Sequence, residues 1–265
     1  MDKTARLLRS LRSYGSLAVA LSGGVDSSLL AMAAVAALGK KAVAVTASSE
    51  LLPAAELKDA SMVAKLVGIR HEILPVQDLQ VPELVRNDGE RCYYCKKKRF
   101  SDMLAWAQAH GYAYVAEGSN LDDRGDYRPG MQAVAELPAV VSPLIECGWT
   151  KAEIRQQARE WKLPVWDKPS AACLASRIEY GIPVTALRLQ QVEQAEQLLQ
   201  SWVHGQLRVR HHGSLARIEV EPAAMDVVLA HREELAGRLR AIGFNYVTLD
   251  LLGYRMGSQN EMLKK

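Results

Sequence analysis

The chain has 265 residues, of which 49% are hydrophobic and 24% charged, and a net charge of +3. This length suits one large or two modest domains, and the composition is that of an ordinary globular protein rather than a disordered or fibrous one. So small a charge argues against a general nucleic-acid binder, and four cysteines in a reducing compartment argue for metal or catalytic use rather than a disulfide scaffold.

The polar start "MDKTARLLRS" has no signal-peptide pattern. The longest apolar run, around Leu29 to Leu38, is too short to span a bilayer. The expectation is therefore a cytoplasmic protein with no membrane partner. "SLAVALSGG" predicts a strand running into glycines, and "DSSLLAMAAVAALG" a helix stopped at Gly39. "KAVAVTAS" is a second strand, "AAELKDASMVAKLVG" a helix ending at Gly68, and "RHEILPV" a third strand. A helix over "KKKRFSDMLAWAQAHG", a strand "YAYVAEGSN" and a short strand "AVVSPL" follow. Strands alternating with helices predict an α/β fold, a doubly wound parallel sheet with ligands at the carboxyl ends of its strands.

From about Leu163 the periodicity is lost, and "PVWDKPSAACLASRIEYGIP" reads as a long loop of the functional kind. A helix "TALRLQQVEQAEQLLQSW" comes next, then strands "QLRVRHH" and "LARIEVE" joined by a turn at Gly213-Ser214. A helical stretch from Ala223 to Ala241 and a strand "NYVTLDL" complete a smaller α+β domain. The expected division is 1–165 for nucleotide binding, 166–184 for a cysteine loop, and 185–265 for substrate binding and oligomerisation.

"LSGGVDSS" is the strongest motif. Gly23 and Gly24 let backbone approach an anion, and the helix that follows offers free N–H groups at its positive end. Ser22, Ser27 and Ser28 add hydroxyls, while Asp26 fits beside a phosphate only if it holds a magnesium ion or caps the helix. The Walker pattern needs a lysine here and the dinucleotide pattern a third glycine, and neither is present. A tight turn with a capping aspartate is the plainer alternative.

The string resembles the pyrophosphate loop of the PP-loop ATPases, which cleave ATP to AMP and pyrophosphate. With "RCYYCKK", "EGSNLDD", "ACLASRI-YG" and "RVRHHGSLARIEV" in that order, the whole chain resembles the LarE family, ATP-dependent sacrificial sulfur transferases that make the nickel-pincer cofactor of lactate racemase. The resemblance implies adenylation of a carboxylate of pyridinium-3,5-biscarboxylic acid mononucleotide by ATP and Mg2+, then its conversion to a thiocarboxylate. It implies that Ala20, Ser22, Gly23, Gly24, Asp26, Ser27, Ser28 and Gly118 hold ATP, with Thr46 and Ser48 near the nucleoside. Cys173 matches the sulfur-donor position, and a homohexamer is implied.

Around Cys173, Lys168 and Arg177 would favour a thiolate, and Arg177 could clamp an anion; the alternatives are a buried small residue and a solvated loop charge. Ser176 shares the motif. Glu117, Asp122 and Asp123 suit a ribose or metal role, or, for the aspartates, turn caps. Arg208 and Arg210 leave one face of a strand, with Glu219 able to pair with either; with Arg255 they resemble a site for the substrate's phosphate. His211 and His212 read as surface residues and Cys147 as a packed residue; Glu196 and Asp226 resemble acidic positions near the family's active site, the plainer alternative being solvated helix-face charges. Cys92 and Cys95 follow the polar loop "VRNDGER"; with Cys173 they offer three thiolates, which suit a 4Fe–4S cluster with one open iron to carry sulfide, against sulfur donated by Cys173 alone. A tRNA-thiolating PP-loop enzyme and a zinc-stabilised binding protein are the other classes left open.

Overall fold

The computed structural model describes residues 2–125, 129–169 and 172–264; positions 170 and 171 of the expected cysteine loop lie outside the described residues. The chain divides into two compact units, one formed by Met1–Asp78 with Cys92–Ala171 and the other by Leu79–Arg91 with Ala172–Lys265. In chain order the first elements are α1 (Lys3–Ser13), β1 (Leu17–Ala20), α2 (Val25–Leu38), β2 (Ala42–Ser48), α3 (Ala54–Val67) and β3 (Arg70–Pro75). After α4 (Pro82–Val85), which belongs to the second unit, come α5 (Arg91–Ala109), β4 (Tyr114–Ala116), α6 (Pro129–Ala135), β5 (Val140–Val141), α7 (Pro143–Glu146) and α8 (Lys151–Glu160).

The polar start is a helix. Asp2 caps α1 by accepting from the Thr4 N–H at 3.1 Å, and Leu7 and Leu11, four apart, bury one face. The five strands of the first unit are all parallel in the order β3-β2-β1-β4-β5. Side chains alternate through this sheet. Leu17, Val19 and Ala44 pack with residues of α1, α2, α3 and α8, whereas Ala18, Val43, Val45 and Val115 pack with Phe100, Met103 and Ala107 of α5 and Val134 of α6. Helices therefore cover both faces, as the alternation predicts. Strand order reverses between β1 and β4, so the loops leaving these two strands flank the crevice where such sheets bind ligands. Among the described residues no helix is long and apolar enough to cross a membrane.

The second unit contains α9 (Ala186–Gln200), β6 (Leu207–His212), β7 (Leu215–Val220), α10 (Met225–Ala230), α11 (Arg232–Ile242) and β8 (Tyr246–Leu249). β6 and β7 form the expected antiparallel hairpin through Gly213, whose φ of 64° suits a glycine, and β8 joins β7 in parallel. The helical stretch expected from Ala223 to Ala241 is in fact interrupted at His231, between α10 and α11. Leu199, Val209, Ile218, Leu239 and Phe244 form the core.

His211 departs from its expected surface position. It shares the core face of β6 with Leu207 and Val209 and is only 2% exposed. Its Nε2 lies 3.1 Å from Gln191 Oε1, and its ring is 5.3 Å from that of Phe244. Burial, followed by the nearby Arg188 charge, pushes its pKa down from 6.5 to about 4. Above pH 6.5 both folded and unfolded chains carry it neutral. As pH falls from 6.5 toward 4 the unfolded chain takes up a proton that the folded chain resists, so stability is lost across that window. At about 1.4 kcal/mol per pKa unit, the fall from 6.5 to about 4 makes the full loss on the order of 3 kcal/mol. Urea unfolding at pH 7 and pH 4.5 should show this acid loss, and His211→Gln should reduce it; equal losses in the two proteins would refute the assignment.

Candidate functional site

In the first unit the chain leaves β1 at Ala20 and enters α2 through Leu21, Ser22, Gly23 and Gly24. The Leu21 N–H donates to the Val45 carbonyl at 2.9 Å, and its own carbonyl accepts from Thr46 Oγ1 at 2.6 Å. Thr46 thereby spends its only proton, so the 2.7 Å contact with His71 must have Nε2–H of the histidine donating to Oγ1. Burial holds the His71 pKa below its ordinary value. Thr46, expected near the nucleoside, is buried and anchors the loop from behind; His71 is a residue that the sequence reading did not single out.

Gly23 has a φ of +77°, and a Cβ there would lie 2.8 Å from the Ala60 N and 3.0 Å from the Glu56 carbonyl oxygen. No side chain fits. Ser22 Oγ lies 3.0 Å from Ser27 Oγ, which also accepts from the Ser22 N–H at 3.2 Å. Ser28, fully buried, donates back to the Gly24 carbonyl at 2.7 Å. Gly24 caps α2 without any side chain, which leaves the positive end of the helix to an anion. Ser48, at the end of β2, is half-buried.

The exit of β4 lies against this loop. A Cβ on Gly118 would sit 3.1 Å from the Ser27 N and 3.3 Å from Asp26 Cβ. Asp26 forms an ion pair with Lys151 and accepts from Asn120 Nδ2 at 3.3 Å. Asp122 accepts from the Lys151 N–H at 2.8 Å and Asp123 from the Asn120 N–H at 2.9 Å, so both aspartates shape turns. Glu117 is buried and accepts from Ser119 N–H, Ser119 Oγ and Ser142 Oγ at 3.1, 2.6 and 2.5 Å. It lines a cavity of about 360 Å³ together with Met131, Val134, Val140 and Ser142.

Lys168, expected to favour a thiolate, is held by carboxylates of its own unit. Its ammonium donates to Asp59, Glu56 and the Gly23 carbonyl at 2.6, 2.9 and 3.3 Å, all within the first unit. Two carboxylates neutralise it.

Cys173, half-buried, precedes the turn Leu174–Arg177 in the second unit. Ser176 Oγ donates to the Cys173 carbonyl at 2.7 Å, and Arg177 Nη1 donates to the carbonyls of Ala172 and Cys173 at 2.7 and 3.1 Å. The remaining nitrogens of Arg177 reach Glu196 at 2.9 and 3.2 Å, and Glu196 also accepts from the Val209 N–H at 3.1 Å. Neither charge is solvated as the plainer readings had it: Arg177 is 3% exposed and Glu196 8%. Arg91, the first residue of "RCYYC", is also buried; it donates to Asn87 Oδ1 and to the Ala175 carbonyl. Asn87 Nδ2 in turn donates to the carbonyls of Glu179 and Ile182, both at 2.8 Å. This anchoring of the cysteine loop was missed by sequence reasoning, although polar residues flanking "EYGIP" and "VRNDGER" gave a signal.

Arg210 donates through Nε and Nη2 to Glu219 at 2.9 and 2.7 Å, while Ser258 Oγ donates to the other oxygen at 2.8 Å. Glu219 faces Arg208 in strand register, yet the arginines bonded to it are the diagonal Arg210 and Arg217, the latter at 3.1 Å. Arg208 donates to the Leu207 carbonyl at 2.6 Å and stands 5.3 Å from the Tyr254 ring centroid; burial and then the Arg177 charge lower its pKa. Arg255 pairs with Asp250 and Glu261, each at 3.3 Å. Asp226 is exposed, in the first turn of α10.

Cys92 and Cys95 lie inside the start of α5 rather than in the loop before it, one turn apart on the same side. None of the four cysteines is in a disulfide. Cys147 is buried, which raises its thiol pKa, in keeping with packing. Among the described residues no group of three or more His, Cys, Asp or Glu side chains is placed to hold a metal ion. Cys92 and Cys95 belong to the first unit and Cys173 to the second, so a three-thiol iron–sulfur site is not assembled by either unit alone. Magnesium is a different case, because it commonly takes one or two carboxylates together with substrate phosphates, and Asp26 suits that demand.

A family profile described as NAD synthase matches residues 6–87. The chain is 43% identical to an uncharacterised protein of Synechocystis sp., over 93% of this chain and 92% of that one. It is 35% identical to the pyridinium-3,5-bisthiocarboxylic acid mononucleotide synthase of Lactiplantibacillus plantarum, over 99% of this chain and 95% of the synthase. Identity to the tRNA-specific 2-thiouridylase MnmA of Xanthobacter autotrophicus is 27%, covering 88% of this chain and 72% of that enzyme.

The buried Arg177–Glu196 pair yields a direct expectation. Glu196→Gln leaves a buried guanidinium without its counter-charge, a change that costs about 3–5 kcal/mol where a surface pair would cost at most about 1. Denaturant unfolding of the variant should show a loss in the larger range; a change below about 1 kcal/mol would mean that the pair is dispensable.

Proposed function

The chain belongs to the LarE family of PP-loop enzymes, and from that membership we propose that it is an ATP-dependent sulfur transferase acting on a carboxylate of pyridinium-3,5-biscarboxylic acid mononucleotide. The observation that carries the reading is the near full-length match to a synthase named for the bisthiocarboxylic acid product. The geometry supports it: an uncapped helix end with an acidic residue beside it suits magnesium-bound ATP better than a bare phosphate.

ATP transfers its adenylyl group to a carboxylate oxygen and pyrophosphate leaves. The Cys173 thiolate attacks the acyl adenylate and expels AMP, which gives a thioester. Loss of the cysteine α-proton and cleavage of its Cβ–S bond leave a thiocarboxylate on the product and dehydroalanine at position 173. Ser176 and Arg177 hold the Cys173 carbonyl and so fix the turn that presents the thiol. Ala20, Ser22, Gly23, Gly24, Asp26, Ser27, Ser28 and Gly118 form the ATP site in this reading, with Thr46 and Ser48 at its nucleoside end and Glu117 beside the reacting groups. Arg208, Arg210 and Arg255 receive the mononucleotide phosphate. The enzyme works in the cytoplasm as a homohexamer in service of the nickel-pincer cofactor.

A second route for sulfur is favoured by Cys92 and Cys95, whose i,i+3 spacing on α5 gives two thiols to one ligand. With Cys173 they would hold a 4Fe–4S cluster, which supplies sulfide when bound. Reconstitution with substrate, ATP and Mg2+ should yield AMP and pyrophosphate, and mass analysis should find oxygen replaced by sulfur in the product. ADP and phosphate as products would sink the assignment. Dehydroalanine at position 173 in a colourless protein would reject the cluster. Brown protein that loses its colour in Cys92→Ala, Cys95→Ala and Cys173→Ala would instead reject sacrifice of the cysteine. Thiolation of tRNA without turnover of the mononucleotide would move the enzyme to the MnmA-like class.

A further inference from the structure

The segment that follows β8 enters the reading above only through Arg255, yet it buries two further polar side chains. Ser258 and Gln259 are 4% and 6% exposed. Such burial is costly unless each finds partners, and both do. The segment is first set against β7, where the Tyr254 N–H donates to the Val220 carbonyl at 2.8 Å. It then turns, with the Ser258 N–H donating to the Arg255 carbonyl at 3.3 Å and the Asn260 N–H to that of Gly257 at 2.8 Å. Ser258 Oγ accepts from Arg210 Nη2 at 3.0 Å and spends its proton on Glu219 at 2.8 Å. Gln259 Nε2 donates to the Arg177 carbonyl at 3.1 Å.

These bonds grip the turn after Cys173 from outside it. Arg210 Nη1 donates to the Ser176 carbonyl at 3.2 Å, so that carbonyl is held by the cation that Ser258 braces, and the next one by Gln259. The Arg177 side chain holds the carbonyls of Ala172 and Cys173. All of these residues belong to the second unit. Gln259 stands four positions after Arg255, with a backbone hydrogen bond folded between them. We infer that Gln259 is a positioning residue for sulfur transfer, and that the segment from Arg255 to Gln259 is a gauge that sets the Cys173 turn relative to the substrate's phosphate. The inference rests on the reading above, in which Arg255 receives that phosphate and Cys173 delivers sulfur. Contacts to a phosphate that does not react raise turnover only when rigid structure carries them to the reacting atoms. A small misplacement of the attacking group costs about 100-fold in rate. Glu261, the surface partner of Arg255, can be solvated when a phosphate takes its place, while Ser258 and Gln259 keep their buried bonds.

The test uses the full chain as wild type, Gln259→Met and Gln259→Glu, below the lowest thermal midpoint of the three. Methionine keeps the length of glutamine without its donor, and glutamate keeps its shape but turns an acceptor toward the Arg177 carbonyl. Each form is given the pyridinium biscarboxylate mononucleotide or the nucleoside that lacks its phosphate, with ATP and Mg2+. In the wild type, thiocarboxylate should form faster from the mononucleotide than from the nucleoside. Both variants should hold KM for the mononucleotide within about twofold and slow its thiocarboxylate formation about tenfold, Gln259→Glu more than Gln259→Met. Their rates with the nucleoside and their release of pyrophosphate should stay near those of the wild type, so the advantage given by the phosphate shrinks in a double cycle. A glutamine that only packs the segment would lower the thermal midpoint and change both substrates by one factor, and that result overturns the inference while the phosphate reading stands. Equal wild-type rates with the two substrates would overturn the phosphate reading and the inference with it. Wild type that converts neither substrate would overturn the proposed function as well.

Discussion

An acidic side chain in the first turn of a buried helix is the constraint around which the first unit is arranged. α2 buries residues on nearly every side, including Ser27 and Ser28, so its N-terminus cannot shift without disturbing the sheet. The loop feeding it is held at its carbonyl by Thr46 and its glycine is pressed against α3, which leaves no freedom to turn the helix end away from the crevice. Asp26 must therefore be compensated in place. Lys151 and Asn120 do this from the chain segments that follow β4 and β5. The switch in strand order thus brings together one anion-attracting helix end, one carboxylate and one ammonium.

The second unit solves a related problem with different materials. Two of its ion pairs, Arg177–Glu196 and Arg210–Glu219, are buried, and each has further partners: backbone N–H for Glu196, a hydroxyl and Arg217 for Glu219, peptide carbonyls for Arg177. Buried pairs are weak sources of net stability but severe penalties when broken, so they hold one geometry against alternatives. Here the geometry held is the turn that begins at Cys173. Arg177 grips its carbonyl, Arg91 and Asn87 grip the chain beyond it, and Ser176 closes it. A thiol on an otherwise irregular stretch is thereby given a defined backbone.

The parallel sheet and the phosphate loop were legible because both are local patterns: short apolar runs punctuated by glycine, and a string whose every residue has a role at a helix end. The hairpin of β6 and β7 was legible for the same reason. His211 was misread although strand alternation assigns it to the face of Leu207 and Val209, because polarity was weighed above period. The helical start of the chain was passed over because only Leu7 and Leu11 are fully buried in α1, and the basic residues around them dominate the composition. Lys151 and His71 could not be found from spacing, and Arg91 only through the polar residues around it. Their partners lie 125, 25 and up to 84 positions away, and only the folded chain makes them neighbours.

Both units hold their cations against internal carboxylates before any substrate arrives, and this shapes how anions are received. Binding becomes an exchange of partners, so affinity reflects a difference between two ion pairs rather than the full strength of one. The exchange is inexpensive where the abandoned carboxylate can be solvated or take up a metal, and costly where it would be left buried. Asp26, partly exposed and suited to magnesium, belongs to the first kind. Glu219 has no exposed surface and could not be solvated, but it would keep Arg217 at 3.1 Å if Arg210 turned to another anion. Arg255 bonds Glu261 at the surface, and Arg208 donates to a carbonyl and stands against an aromatic face. On the proposed reading of this unit as the phosphate site, the exchange would cost least at Arg255, whose Glu261 partner is open to solvent.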